Sequence, residues 1–422
     1  MSGDATLKGR LSILAVVLGA ALVACDRLLP AAPPGEDVLE GPIDGLNRAQ
    51  LATFAKGDGE FSRVFSPGNG AGPLFIATAC EACHVGDGKG HPVFNLTRFG
   101  RMGPGGFDPM RAFGGPQVQN RAVQGYIAEV VPNGVTGVSV FTAPSVTGLG
   151  LLEAVDDTTL LRLSDSSDAD GDGISGRVQL LDENDLLVEV TSLESLFDIG
   201  TPTRGVAILG KYIGRFGKKG LSVNLLHQTV SAYHEDMGLT TDQILTDVFN
   251  RQVGNFASDD VPDPEVPSST VSAVVFYLKT LRPPPRRDGP DVAAGETLFA
   301  QVGCAGCHLP TLTTGASPIA PLHQATFHPY TDLLLHDMGP ELDDGYTEGI
   351  ALTSEWRTPP LWGIGLAHAS QGGAMHLLHD GRARSLREAI GFHGGEGASS
   401  RAAFNGLTAA EQERLLRFLE SL

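Results

Sequence analysis

The clearest helical period in the chain runs from Ser268 to Leu281. Apolar side chains recur at Val271, Val274, Val275, Leu278 and Leu281, a spacing of three and four that lines one helix face. Ser268 or Ser269 is the expected N-cap, and Arg282-Pro283-Pro284-Pro285-Arg286-Arg287 stops the helix. A second helix is expected over Asp291 to Val302. A third opens on Thr408-Ala409-Ala410-Glu411, a capping-box pattern, and carries Leu415, Leu416, Phe418, Leu419 and Leu422. Around Gly72-Pro73-Leu74-Phe75 a short helix is expected to lead toward Cys80. Residues 100–150 are rich in Gly, Pro and Val and show no helical period, so loops and short strands are expected there.

The N-terminal pattern differs. Lys8 and Arg10 precede the apolar run Leu11 to Ala24, a charged segment and a short hydrophobic one, which reads as an export signal over 1–24. The run is short for a membrane span. Leu22-Val23-Ala24-Cys25 resembles a bacterial lipobox, in which the Cys becomes the lipidated first residue; an ordinary signal or an uncleaved anchor is the plainer alternative. Residues 25–60, with Pro30, Pro33, Pro34 and Gly35, are expected to form a flexible tether on that lipid. The expected location is therefore the periplasmic side of a bacterial membrane, by lipid anchor.

Composition narrows the partners. The 422 residues are 41% apolar, enough for a sizeable core, and the net charge is −19. So acidic a chain argues against nucleic acid. It suits a solvated surface, or an encounter with a basic redox partner. Four of the five cysteines lie in two short motifs, Cys80-Glu81-Ala82-Cys83-His84 and Cys304-Ala305-Gly306-Cys307-His308. Two thiols three apart with a histidine directly after form the attachment signature of c-type haem. Each Cys can form a thioether, and the adjacent His, His84 or His308, meets the iron. Four thiolates on one zinc, or a redox dithiol, are the competing readings; neither accounts for the two histidines. Two covalent haems are the expected cofactors, and their attachment outside the cytoplasm agrees with export.

Other candidates are less specific. Asp168-Ala169-Asp170-Gly171-Asp172-Gly173 matches the first half of an EF-hand-type loop, so Asp168, Asp170 and Asp172 are candidate calcium ligands. The twelfth position is Gln179, which excludes a full EF-hand and leaves a shorter calcium loop or a solvated acidic turn. Glu153 sits in the apolar run Gly148 to Ala154, as surface decoration or as an acid/base group. His227, His234 and Met237 are candidate sixth ligands of the first haem, each equally readable as a packing residue. The expected architecture is mainly α, with two cytochrome c-like haem domains. The first, 61–285, holds a large loop-rich insertion with short strands and the calcium loop; the second is 286–422.

Trp356-Arg357-Thr358-Pro359-Pro360-Leu361-Trp362-Gly363, Leu378-His379-Asp380-Gly381-Arg382-Ala383 and His393-Gly394-Gly395-Glu396 go beyond a generic cytochrome. With Gly148–Ala154 and Asp168–Arg177 they resemble the bacterial di-haem oxidoreductases grouped as peroxidases. That family is similar to bacterial di-haem cytochrome c peroxidase and MauG-type enzymes. The resemblance implies an exported oxidoreductase that reduces hydrogen peroxide, or another small oxidant, at the N-terminal haem. Electrons would come through the C-terminal haem from a cytochrome or cupredoxin donor, by way of Trp356 or Trp362, with calcium between the domains. It places the second haem's distal ligand on His393, with Met338 and Met375 as competitors. Gln117, Arg121 and Glu153 become candidate distal polar groups that move the peroxide proton and stabilise charge. A non-catalytic electron-transfer lipoprotein and a MauG-like oxidant of a protein partner are the alternatives.

Overall fold

Two helix pairs of the same design organise the chain. The computed structural model describes residues 39, 41–183, 186, 210–254 and 259–422, so the expected signal segment and Cys25 lie outside the described residues. In the first pair, α1 (Arg48–Phe61) crosses α3 (Ser268–Thr280); between them in sequence lies α2 (Leu225–Glu235). In the second pair, α4 (Pro290–Gln301) crosses α5 (Ala409–Ser421).

Each crossing is made possible by a glycine. A Cβ on Gly57 would lie 2.1 Å from the Ala273 carbonyl oxygen and 2.6 Å from Tyr277 Cβ. A Cβ on Gly295 would lie 2.1 Å from the Arg414 carbonyl oxygen and 2.6 Å from Phe418 Cβ. Backbone meets backbone with no side chain between, at the expense of a glycine inside each helix. Four residues on, Phe61 and Phe299 turn inward. Phe61 packs on Tyr277 with ring centroids 5.5 Å apart, and Phe299 on Phe418 at 5.3 Å.

The helix α1 corrects the expectation of a tether over 25–60. Asn47 and Gln50 form a reciprocal capping box that starts it, and Phe54, Gly57 and Phe61 are its buried face. Gly57 and Gly59 read as breakers in the sequence, but the close crossing demands the first of them. The segment before Cys80 is likewise a short strand, Leu74–Phe75, paired with Arg121–Ala122, followed by the single helical turn Cys80–Cys83. The expected helices near 268–281, 291–302 and 409–422 are present, and the Thr408–Glu411 box forms. The Ser268 cap differs: Ser268 is already helical, and its N–H and hydroxyl donate to Asp242 Oδ2 from a neighbouring loop.

Helices outweigh strands, and the strands are short. The largest sheet has three antiparallel members in the order Gly106–Asp108, Leu96–Gly103, Gly137–Phe141. Leu39–Leu422 forms one compact unit. Its main core mixes α1, α2 and α3 with Leu312, Phe327, Leu333, Leu334 and Trp362, which follow the proline-rich stop at 283–285. A second cluster holds α4 and α5 with Leu361, Leu386 and Phe404. Among the described residues no helix is long and apolar enough to cross a membrane.

The crossings set a test. Gly57→Ala and Gly295→Ala should each cost about 1–3 kcal/mol by overpacking, read as a lower thermal midpoint; alanine at the solvent-facing Gly59, which meets nothing within 4 Å, should not.

Candidate functional site: one cavity with two CxxCH motifs

His84 follows the turn Cys80–Cys83 and donates through Nδ1–H to the Pro144 carbonyl at 2.8 Å. A carbonyl can only accept, so Nδ1 carries the proton and Nε2 is left bare for a metal. Its ring stands 6.1 Å from that of Phe61. His308 repeats this: Nδ1 lies 2.9 Å from the Tyr330 carbonyl, and the ring 6.4 Å from Phe299. The glycine crossings therefore aim one phenylalanine each at a histidine. Burial pushes both imidazoles down to about 4, so they are neutral and fit to ligate at neutral pH.

Both motifs face the same space. A continuous apolar cavity, about 3540 Å³ of atom-free volume counting its open mouth, is lined by Cys80, Cys83, His84, Cys304, Cys307 and His308. The four thiols are free. Burial pushes Cys80, Cys83 and Cys304 up to about 12, the reverse of an activated dithiol. They form no common metal cluster: among the described residues the metal-sized groups are Asp168, Asp170 and Asp172, and Asp247, Asp259 and Glu265. The zinc reading therefore fails.

His393 also lines the cavity, with Nδ1 held 2.9 Å from the Ala389 carbonyl and Nε2 left over. It is close enough to His308 to depress it electrostatically. Met338 lines the cavity as well, whereas Met375 borders a separate groove with Arg384 and Leu416. Of the candidates near the first motif, His227 and Met237 line the cavity and His234 does not. The buried His227 Nε2 has no hydrogen-bond partner among the described residues. Met237 Sδ lies 3.9 Å from Cys80 Sγ.

The three expected distal groups are corrected. Glu153 does not line the cavity: it is buried beside α3, with Oε2 2.9 Å from Lys279 Nζ, and Oε1 accepts from the Leu225 N–H at the start of α2. Gln117 donates to the Glu235 carbonyl and to Asp236 Oδ1. Arg121 is exposed and lies over the Phe94 ring. Glu153 and Gln117 hold other elements in place, since an apolar neighbourhood in sequence does not say which way a helix turns its carboxylate.

The cavity's own polar wall was missed. Arg98, between two carboxylates, lies 3.4 Å from Glu235 and 3.5 Å from Glu348, and Tyr346 donates to Glu348 at 3.0 Å. Arg98, Glu235, Asp236 and Glu348 all line the space. Burial raises Glu348 above the usual carboxylate range against the pull of Arg98. Burial likewise raises Asp236, to about 6. These residues come from three distant segments, and no sequence spacing connects them.

Trp356 stacks flat on His379, centroids 3.7 Å apart, with Lys219 Nζ 3.8 Å from the Trp356 centroid. Both line the cavity, as does Trp362. Asp168, Asp170 and Asp172 converge in a turn, each accepting a nearby backbone N–H. The next residues reach the second motif. Ile174 packs where Gly306 has no side chain, and Ser175 donates to Glu396.

Residues 133–422 match the family described as "Di-haem oxidoreductase, putative peroxidase". The chain belongs to this family. The match takes in the second motif and the acidic turn; Cys80–His84 precedes it. Among solved structures the chain is similar to hydrazine synthase of Kuenenia stuttgartiensis, at 15% identity over 94% of each chain with a TM-score of 0.38. It is also similar to a MauG-like protein associated with microbial copper homeostasis, at 16% identity over 64% of this chain and 89% of that one, TM-score 0.29. Neither likeness is close enough to carry function across. No curated protein matches.

One titrating group beside the di-haem oxidoreductase cavity sets a pH test. His336 is buried, with Nε2 2.8 Å from Asp332 and Nδ1 2.7 Å from Glu396 and 3.5 Å from Cys307 Sγ. Burial works against its charge, but the bond to Asp332 leads the opposing contacts, and the net effect lifts it to about 12. A raised histidine stabilises the fold fully below its unfolded value of about 6.5, and that contribution drains away as pH climbs toward the folded value. The destabilisation by His336→Gln, measured by urea unfolding, should therefore be larger at pH 6 than at pH 9.

Proposed function

We propose that this di-haem oxidoreductase is an exported c-type cytochrome that reduces peroxide at the His84 haem, fed by electrons through the His308 haem. The observation that carries this is the single cavity lined by both CxxCH motifs. Cys80 and Cys83, and Cys304 and Cys307, would hold the porphyrins by thioethers. His84 and His308 would be the proximal ligands, and His393 would close the second iron. Bound haem supplies a redox iron and, where one coordination position is open, a site for the peroxide. Imidazole in place of a thioether at His393 favours the oxidised iron, which suits a centre that passes electrons onward.

Reducing a peroxide to water consumes protons as well as electrons. Glu348 is placed to hold one: it lines the cavity and its burial favours the protonated form. Protonated, Glu348 would give that proton to the oxygen that leaves as water. Arg98, 3.5 Å away, stabilises the charge that develops there. The Trp356–His379 stack supplies a conjugated path along the cavity wall. A calcium ion on Asp168, Asp170 and Asp172 would fix Ile174 and Ser175, and through them Gly306 and Glu396 beside the second haem. The electron donor would be a protein of the cytochrome or cupredoxin type.

One observation favours a second reading, a non-catalytic shuttle: His227 and Met237 line the cavity near the first motif and could close its iron. Electron paramagnetic resonance separates the two. A high-spin ferric signal, at rest or after half-reduction, supports the peroxidase; two low-spin irons in every oxidation state remove it. Glu348→Gln should slow the second-order reaction with hydrogen peroxide on the order of 100-fold, in stopped-flow measurements, with the optical spectrum of both haems unchanged.

A further inference from the structure

The cavity wall carries one patch of a different kind. Lys89, Lys218 and Arg357 all line it, and each is half-buried. No carboxylate is bonded to any of the three among the described residues. Lys89 Nζ donates to the Leu378 carbonyl at 3.2 Å, and Arg357 donates Nε to Gly217 and Nη1 to Thr358, both carbonyls. The Lys218 ammonium has no hydrogen-bond acceptor among the described residues. What faces it is Lys89 and Arg357, with Asp380 as the nearest countercharge. Asp380 is already engaged, 2.6 Å from Arg382 Nε. Three cations gathered in a low-dielectric space without an anion repel one another and lose hydration with no return. Burial, followed by that repulsion, drives Lys218 well below the usual ammonium range. Burial alone takes Lys89 down to about 8.

The patch lies between the two metal-binding neighbourhoods. Lys89 follows the first motif by five residues, and Lys218 is near enough to His84 and His379 to lower both. Arg357 interacts with Asp332, which acts on His308 and bonds His336. We propose that Lys89, Lys218 and Arg357 form a single cationic hub that receives propionate carboxylates from both haems. This rests on the di-haem reading above. Carboxylates are the anions such a cluster binds by charge-assisted hydrogen bonds, with Arg357 able to offer a planar fork. A free inorganic anion has the same chemistry, and the test separates the two.

The test is a spectroelectrochemical titration of the purified holoprotein and of Lys218→Met and Lys218→Arg. Removing a positive charge stabilises the more positive oxidised iron, so both midpoint potentials should fall in Lys218→Met and stay near the native values in Lys218→Arg. A shift at one haem, or at neither, with two haems per chain by pyridine haemochrome, overturns the hub. Inorganic phosphate should leave the native potentials unchanged, because propionates already occupy the hub; a phosphate-dependent shift means a free anion sits there and overturns it. If Lys218→Met fails to keep both haems, Lys89→Met read by the same titration decides. Native protein without covalent haem brings down the di-haem reading itself, and the hub with it.

Discussion

A backbone carbonyl fixes each CxxCH imidazole. Pro144 holds His84 and Tyr330 holds His308, and the proton each bond requires on Nδ1 leaves Nε2 as the only ring nitrogen that can face a metal. The tautomer, the ring plane and the direction of the lone pair follow from one hydrogen bond apiece. The rest of the fold keeps those two bonds in place. Phe61 and Phe299 press against the rings, and each can do so only because a glycine one helical turn earlier lets its helix approach the closing helix without a side chain between. The constraint thus runs from a missing Cβ, through an aromatic contact, to the orientation of a ligand.

Around those fixed points the structure buries more charge than stability alone favours. Glu153–Lys279 ties α2 to α3, Arg98 sits between Glu235 and Glu348, and His336 between Asp332 and Glu396. A buried pair is often no more stable than an apolar one of the same volume, while losing one partner is costly. The three sets differ in what they touch. Glu153–Lys279 is turned away from the cavity and fixes helices. Arg98 and Glu348 line the cavity itself. His336 stands beside Cys307 and links the second motif to the acidic turn through Glu396.

What could be read from the chain followed from how local the cause was. The capped helix after Thr408 and the period after Ser268 are each specified within about a dozen residues, and each forms the expected helix; the two CxxCH motifs are as local, and both line one cavity. The helix Arg48–Phe61 was hidden because its defining feature is a contact with Ala273 and Tyr277, more than two hundred residues away. A comparison of Gly57-to-Phe61 with Gly295-to-Phe299, the same glycine and phenylalanine four apart ahead of each motif, would have revealed it. Glu153 was misjudged for a related reason. Its run of apolar neighbours left it readable as surface decoration or as an acid/base group; it is buried, and Lys279 meets it there. The wall of Arg98, Glu235 and Glu348 has no local signature, since a loop-rich sheet, a helix end and a distant turn contribute one residue each.

The main core draws Leu312, Phe327, Leu333 and Trp362 from beyond the proline-rich stop. A break at that stop would leave the first half with an apolar wound and the second without its shelter. The two CxxCH motifs therefore stand on one shared body rather than on two separable cassettes.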